Sequence, residues 1–386
     1  MYDVIVCGAG PAGSVAATVL ARGGARVLLL DRARFPRAKL CGDTMNPGTV
    51  AILRRLAMTG DVEASALPVD GMIVTGEHGV RVRAPYGAGV QGLAIERRVL
   101  DEALLRAAVA AGVRVEEGVL VRGPLLDATG REPRVRGIVM AGRDGRDVRV
   151  PASMIIAADG RRSRLAVGVG LARQPRHPRR WAIGAYFQHV AGMTSFGEMH
   201  VRRGRYIGVA PLPSGATNVC LVIPGPSSVR GVRPGFDDPS ALLRLALDRD
   251  RPLRERFADA RMTTAPVMLG PLAVDAAQCG MPGLLLAGDA AGFIDPMTGD
   301  GLRFAVRGGE LAADVALAAF AGLPEPPHIR LARLRRRDFA AKWRFNRALR
   351  RLVSATATVE LAGVAAAAAP WILRRAIAFA GDVPQR

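Results

Sequence analysis

Hydrophobic and polar positions along the chain follow two different rhythms. Tyr2 to Val6 is a short apolar run with β-branched residues, and it predicts a strand buried on both faces. Ser14 to Arg22 reads as a small-residue helix with Ala16, Ala17 and Val19 turned to the sheet, and Gly23-Gly24 breaks it. Arg26 to Leu30 is a second buried strand closed by Asp31. Met154 to Ala158 and Gly283 to Ala287 repeat the buried-strand pattern, and Leu302 to Phe320 has helical spacing. Other stretches alternate instead. Gly71 to Leu93 places Ile73, Val74, Val80, Val82 and Val90 between glycine turns, and Trp181 to Pro224 behaves similarly; both predict antiparallel strands. Pro239 to Arg256 is expected as a helix on that sheet. Ile329 to Leu352 predicts an amphipathic basic helix, and Leu361 to Leu373 a buried alanine-rich one containing Pro370, with a membrane-surface contact as its alternative. The sum is an α/β chain: a parallel-sheet part, an inserted mainly antiparallel sheet and a helical C-terminal region.

Composition narrows the class. With 386 residues, 49% hydrophobic and 23% charged, the chain can bury a large core and is not disordered. Four cysteines (Cys7, Cys41, Cys220, Cys279) at wide spacing do not make a disulfide scaffold. The balance of 54 Lys+Arg against 34 Asp+Glu gives +20. Nearly all of that positive charge is arginine, since Lys39 and Lys342 are the only lysines. Aromatics make up 5%, so the stacking partners of a nucleic-acid binder are scarce, and no nucleic-acid partner is expected. The basic cluster is the 330–351 helix, with Arg330, Arg333, Arg335, Arg336, Arg337, Lys342, Arg344, Arg347, Arg350 and Arg351. It reads as a helix docked on the core with one solvated face, or else as a face for acidic lipid headgroups or a carrier protein. The start of the chain lacks a basic region before its apolar run, and no uninterrupted apolar stretch reaches ~18 residues. A cytoplasmic protein is expected, with peripheral membrane contact as the alternative. His78, His177, His189 and His200 are scattered, and no metal site is expected.

The chemistry is concentrated in three glycine motifs. Gly8-Ala9-Gly10-Pro11-Ala12-Gly13 follows the first strand and opens the first helix. Here Gly8 serves the tight turn, Gly10 lets the backbone approach a pyrophosphate, and Gly13 lets helix and strand pack closely. Asp31, at the end of the second strand, is placed to accept from a ribose. Strand, motif, helix, strand and acid together define a dinucleotide site but do not separate NAD from FAD. Asp159-Gly160 ends the Met154 strand. Gly288-Asp289-Ala290-Ala291-Gly292 ends the Gly283 strand, followed by Asp295-Pro296-Met297-Thr298-Gly299-Asp300-Gly301 at a helix start. Backbone N–H groups there can face negative charge.

These three ordered motifs resemble the flavoprotein superfamily of p-hydroxybenzoate hydroxylase. Phe35-Pro36-Arg37-Ala38-Lys39-Leu40-Cys41-Gly42-Asp43, the Gly288 to Phe293 segment and Gly299-Asp300-Gly301-Leu302-Arg303 resemble its geranylgeranyl reductase branch. Arg97 with Leu100 and Asp101 is similar to the family's R-x-x-F-D helix start. The resemblance covers residues 1 to 320 and implies a Rossmann-like FAD-binding domain in three parts, 1–68, 94–170 and 272–325. It also implies a substrate domain from 69–93 and 171–271, and a helical region from 326–386. By the same resemblance, Gly8, Gly10, Pro11, Ala12 and Gly13 hold the pyrophosphate, Asp31 the ribose, and Arg32 and Val121 flank the adenine. Lys39, Cys41, Gly42, Arg97, Asp159, Gly160, Gly288 and Asp289 belong to the cofactor site. Pro296, Gly299, Asp300 and Gly301 border the isoalloxazine, and Cys41 is the candidate catalytic residue.

Two departures bear on the reaction. Tyr206-Ile207-Gly208-Val209-Ala210-Pro211 resembles the branch's Y-x-W-x-F-P strand, with Gly208 and Ala210 in place of large aromatics. The W-x-W-x-I-P segment of flavin halogenases is missing, and the His and Asn positions of classical hydroxylases are Gly292 and Leu302–Arg303. The resemblance implies FAD, NAD(P)H as a transient reductant, and a hydrophobic small molecule such as an isoprenoid or polyketide, free or carried on a carrier protein. Reduction at the flavin is expected; a flavin monooxygenase and a non-catalytic flavin-binding protein are the alternatives. Substrate, nicotinamide preference and oligomeric state are left open.

Overall fold

The computed structural model describes residues 2–77, 79–142, 144–175, 180–225, 237–354 and 369–383. The predicted buried runs form the centre of a mixed sheet of eight described strands. Tyr2–Cys7 lies between Asp147–Ala157 and Val27–Asp31, parallel to both. Leu284–Leu286 extends the parallel set on one side and Arg114–Glu117 on the other. Val4, Ile5, Val6, Leu29, Ile155, Ile156 and Leu285 are fully buried because helices or strand layers cover both faces. Each such aliphatic side chain contributes about 1.5–3 kcal/mol relative to leaving it in water. Val121–Asp127 and Arg134–Ala141 form an antiparallel flap on the long Asp147–Ala157 strand.

The first helix, Pro11–Arg22, begins earlier than its periodicity predicts. Pro11 has the fixed φ of a first helical residue and no N–H to satisfy, so the helix starts inside the glycine motif. Ala12, Ala16 and Ala17 pack against Leu311, Ala312, Ala313 and Ala316 of the helix Gly301–Phe320. Small side chains on both helices let their backbones approach: a Cβ at Gly309 would overlap the Ala12 carbonyl.

A second sheet of eight described strands stands over the end of the first. Its path runs Arg261–Met262, Arg180–Gln188, Thr217–Pro224, Arg205–Pro211, Phe196–Arg202, Gly71–Thr75 and Arg81–Pro85, with Val267–Leu269 also on Arg180–Gln188. Every pairing is antiparallel except that of Phe196–Arg202 with Gly71–Thr75, where two distant segments meet. One face carries Ile183, Phe187, Ile207, Val209, Val219 and Leu221 against Leu243, Leu247 and Leu253. These last lie on two helices, Pro239–Asp248 and Arg251–Arg256, rather than on the single helix the spacing predicts. Asp250 ends the first by capping the second through the Leu253 N–H.

The basic helix runs Pro327–Ser354, and a last helix, Pro370–Ala380, follows. Residues 355–368, which hold most of the predicted 361–373 helix, lie outside the described residues, as do His78 and His177. The predicted strand at Val119 begins at Val121 instead; the Val119 N–H donates to the Asp31 carbonyl. Among the described residues, no helix is long and apolar enough to cross a membrane.

Candidate active site

Three motif-bearing strands lie side by side in the parallel sheet, and their carboxyl ends meet. Gly8 adopts φ +101°, and its close approach to Ala158 and Asp159 leaves no room for a side chain. A Cβ at Gly13 would overlap the Gly8 carbonyl oxygen, so helix and strand can touch only with glycine there. The helix Pro11–Arg22 has no side-chain cap at Gly10, so its first N–H groups face outward with the positive end of the helix dipole. Gly288, at φ +59°, packs on Ala12, which brings the Gly288–Ala291 turn against that helix start.

A cavity of about 440 Å³ opens from this point. Gly10, Pro11, Ala12, Lys39, Leu40, Cys41, Gly42, Arg97, Gly160, Arg161, Gly288, Asp289, Pro296, Gly299 and Gly301 line its parallel-sheet end. Beyond them the wall is the inner face of the second sheet, together with Phe345, Leu349, Leu352, Leu373 and Ile377 of the C-terminal helices. Of the predicted cofactor residues, Gly8, Gly13, Asp31, Arg32, Val121, Asp159 and Asp300 stand outside this lining. Gly8 and Gly13 act through the backbone turn. Asp31 is buried and accepts from the Ala9 and Ala33 N–H groups, at 2.8 Å each. Its remaining lone pairs keep acceptor capacity. Arg32 is exposed and Val121 half-buried in the flap. Asp159 accepts from the Arg164 N–H at 3.0 Å, a local capping bond, while its Oδ1 is buried with no partner. Its neighbours Gly160 and Arg161 are the ones that reach the cavity.

The polar end is electrostatically mixed. Lys39 is half-buried in the cavity wall, and its ammonium makes no hydrogen bond to a described residue. Burial, then the neighbouring Arg97, pulls its pKa down, against the pull of Asp289 and Asp101. Arg97 is buried and holds Asp101 in a two-pronged pair at 2.8 and 2.9 Å. Burial disfavours its charge, but Asp101 and the adjacent Cys41 thiol more than compensate and raise it. Cys41 therefore lies beside a fixed guanidinium at the cavity wall.

Asp43 was outside the predicted site, yet it holds this wall in place. It sits at φ +50°, is 1% exposed, and receives Tyr186 Oη at 2.7 Å, Asn218 Nδ2 at 2.6 Å and the Arg97 N–H at 3.1 Å. Asn218 Nδ2 also donates to the Cys41 carbonyl at 2.9 Å. One carboxylate thus ties the Cys41–Asp43 turn to the second sheet and to the Arg97 helix. Burial raises its pKa to about 6, partly offset by the Tyr186 and Asn218 bonds. Tyr186 and Asn218 lie on strands recognisable only as alternating runs, so the sequence carried no signal for the pairing.

Asp300 also has a different task from the one expected. It turns away from the cavity to accept from Lys342 Nζ at 2.8 Å and Asn46 Nδ2 at 3.2 Å. Lys342 further donates to the Phe379 and Ala380 carbonyls, at 3.0 and 2.8 Å. Gly299 takes φ +69°, and the helix Gly301–Phe320 starts without a side-chain cap, so the glycines and their free N–H groups are what face the cavity.

The sheet wall is shallow in its middle. Val74, Met199, Gly208, Cys220 and Gly184 form one transverse row by register. The Leu40 side chain covers Gly184, and a Cβ at Gly208 would meet nothing closer than 3.9 Å. Burial and the nearby Cys41 push the Cys220 thiol up to about 12. Beside this row, Tyr206 donates to Asp295 at 2.5 Å, closing the wall next to Pro296.

An uncapped helix start, a glycine turn with no room for side chains, an ammonium without a hydrogen-bond partner and a long apolar extension fit an elongated dinucleotide with a planar ring at one end. This is the architecture of an FAD-dependent oxidoreductase. Residues 1–320 match the FAD binding domain family, and the chain belongs to that family. It is similar to digeranylgeranylglycerophospholipid reductase 2 of Methanopyrus kandleri, at 33% identity over 82% of this chain and 77% of that protein. Menaquinone reductase of Mycobacterium tuberculosis is 31% identical over 81% of this chain and 76% of its own. Among solved structures, a flavin-dependent brominase superposes with TM-score 0.82 at 20% identity, covering 99% of this chain and 94% of that one; this likeness is one of fold.

Proposed function

We propose that the protein reduces a carbon–carbon double bond in a long apolar molecule of the isoprenoid or isoprenoid-quinone class, with NAD(P)H as the source of electrons. The observation that carries this reading is the continuity of the cavity, from the phosphate-binding helix start to a chamber walled by Met, Val, Leu and Phe side chains. Bound FAD would supply the hydride chemistry, with NAD(P)H as the source of the electrons. Gly10 and Ala12 would hold the pyrophosphate by backbone N–H and helix dipole, with Pro11 setting the helix start between them and Lys39 as the cationic neighbour. Pro296, Gly299 and Gly301 border the ring. Met199, Val201, Val222, Leu269 and Leu272 exclude water from the reacting bond. One carbon would receive the hydride and the other a proton, and the role assigned to Cys41, at the cavity wall, is to hand over that proton. The names of the relatives support the substrate class, and Gly208 with Ala210 gives room for a wider group than a bare chain requires.

The test is the spectrum of the purified protein, then bleaching by NADPH and NADH, then anaerobic turnover with a geranylgeranyl lipid and with menaquinone. A saturated product formed without O₂ supports the proposal. Product that appears only with O₂ overturns it in favour of a monooxygenase. Flavin that neither nicotinamide bleaches overturns it in favour of a binding protein.

A further inference from the structure

The last helix has two unlike faces. Leu373, Ala376, Ile377 and Ala380 follow the i, i+3, i+4, i+7 spacing and lie in the cavity wall. Trp371, Arg374 and Arg375 occupy the opposite stripe. Trp371 is 57% exposed and its neighbour Ile372 51%, both large apolar groups presented to solvent, and the Arg375 guanidinium rests 5.3 Å from the Trp371 ring centre. The helix is fixed at its other end: Lys342 holds the Phe379 and Ala380 carbonyls, and Phe345 packs edge-on against Phe379 at 5.2 Å.

Charge on the adjoining basic helix is divided. In its first half, Arg330 and Arg333 pair with Glu325, and Arg337 with Asp338. In its second half, Arg344, Arg347 and Arg351 are exposed along one stripe, and none pairs with a carboxylate among the described residues. Arg374 and Arg375 are likewise without one. From 339 to 381 the sequence holds seven cationic side chains and a single acidic one, Glu360. Exposed Trp and Ile framed by unneutralised arginines is the pattern of a helix that lies in a membrane interface.

We propose that the outer stripe of Pro370–Ala380, with Arg344, Arg347 and Arg351 beside it, docks on an anionic phospholipid bilayer. Trp371 and Ile372 enter the headgroup–acyl boundary, and the arginines meet lipid phosphates. The inner stripe of the same helix is cavity wall, so docking brings the chamber within about one helix diameter, ~10 Å, of the bilayer. The purpose assigned to docking, delivery of an apolar substrate, rests on the proposed function; the docking itself rests on the two stripes.

The experiment is co-sedimentation of the FAD-loaded protein with phosphatidylglycerol/phosphatidylcholine vesicles and with pure phosphatidylcholine vesicles. Trp371→Ser/Ile372→Ser and Arg374→Glu/Arg375→Glu are compared, each first checked for flavin content. Partition onto anionic vesicles is expected to fall about tenfold or more in either double variant and with added salt, and to be weak on neutral vesicles. Tryptophan emission should shift to the blue on vesicle addition, and Trp371→Phe should abolish the shift even if a double variant fails to fold. Equal binding to both vesicle types, unchanged partition in the variants, or a shift that survives in Trp371→Phe overturns the inference. So does retention on polyglutamate without vesicle pelleting, which identifies an acidic polypeptide as the partner. Reduction of a detergent-dispersed substrate without vesicles leaves the proposed function standing whichever way pelleting turns out.

Discussion

Replacing Asp43 with Asn changes one atom at the junction that fixes the Cys41 turn. The backbone has no reason to move, because Asn tolerates the left-handed conformation at φ +50° as well as Asp does. Two opposed effects follow. The carboxylate accepts three donors, Tyr186 Oη, Asn218 Nδ2 and the Arg97 N–H, whereas an amide offers one oxygen. At least one buried donor loses its partner, which costs about 1–3 kcal/mol at any pH. The amide also removes the burden of a buried charge. Burial raises the carboxyl from 3.8 to about 6, which corresponds to about 3 kcal/mol of native-state penalty once the group is ionised in both states. The folded pKa lies above the unfolded one, so the folded chain binds the extra proton between about pH 4 and 6. This group's contribution is therefore fully present at the acid end and is lost as pH rises through about 6. The wild type pays that loss and Asp43→Asn does not. Urea unfolding of both proteins from pH 4 to 8 should show the variant destabilised at pH 4 and gaining on the wild type by about 3 kcal/mol by pH 7. The slope of the difference is the test, since it does not depend on the constant hydrogen-bond cost. A difference flat in pH, or one in which the wild type gains as pH rises, refutes the assignment of Asp43 as a buried carboxylate whose ionisation is held back by desolvation.

Three further substitutions probe other parts of the site. Gly13→Ala forces a methyl group onto the Gly8 carbonyl, so FAD affinity measured by fluorescence titration should weaken by about tenfold or more, equivalent to about 1.4 kcal/mol; an unchanged Kd rules out the close-packing role. Gly208→Leu sets its Cβ no nearer than 3.9 Å to any neighbour and aims the rest of the side chain into the cavity, so it should leave flavin binding and melting temperature intact, or raise stability by about 0.5–1 kcal/mol, while KM for the apolar substrate climbs; unaltered kinetics would place the substrate elsewhere. Lys342→Met strands the buried Asp300 carboxylate and should cost about 3–5 kcal/mol in chemical denaturation, with Lys342→Met/Asp300→Asn recovering part of it; a loss below about 1 kcal/mol would show that the contact is not a structural tie.

What the sequence made legible, and what it hid, divides along the range of the interactions involved. The glycine motifs are local devices: Gly8 must reach φ +101°, and Gly13 must lie against Gly8 itself, so their function is written in a few consecutive residues. Buried strands of the parallel sheet are equally plain, because burial on both faces leaves an unbroken apolar run. Asp300 marks where local reading stops. It occupies a motif position expected to border the ring, yet its carboxylate faces Lys342, 42 residues further along, and Asn46, 254 residues back. Asp43 likewise takes its partners from strands 143 and 175 residues away. A carboxylate's neighbours across a fold leave no period and no spacing rule in the chain, so its local motif indicates where the residue sits but not what it holds. The two lysines carry the one compositional trace of this. In a chain that uses arginine for nearly every positive charge, one lysine stands half-buried in the cavity wall, its ammonium without a hydrogen bond to a described residue, and the other is buried, gripping a carboxylate and two carbonyls behind the Gly299 turn. A compact ammonium fits the second position, where the planar five-donor fork of arginine would leave donors buried and unmatched.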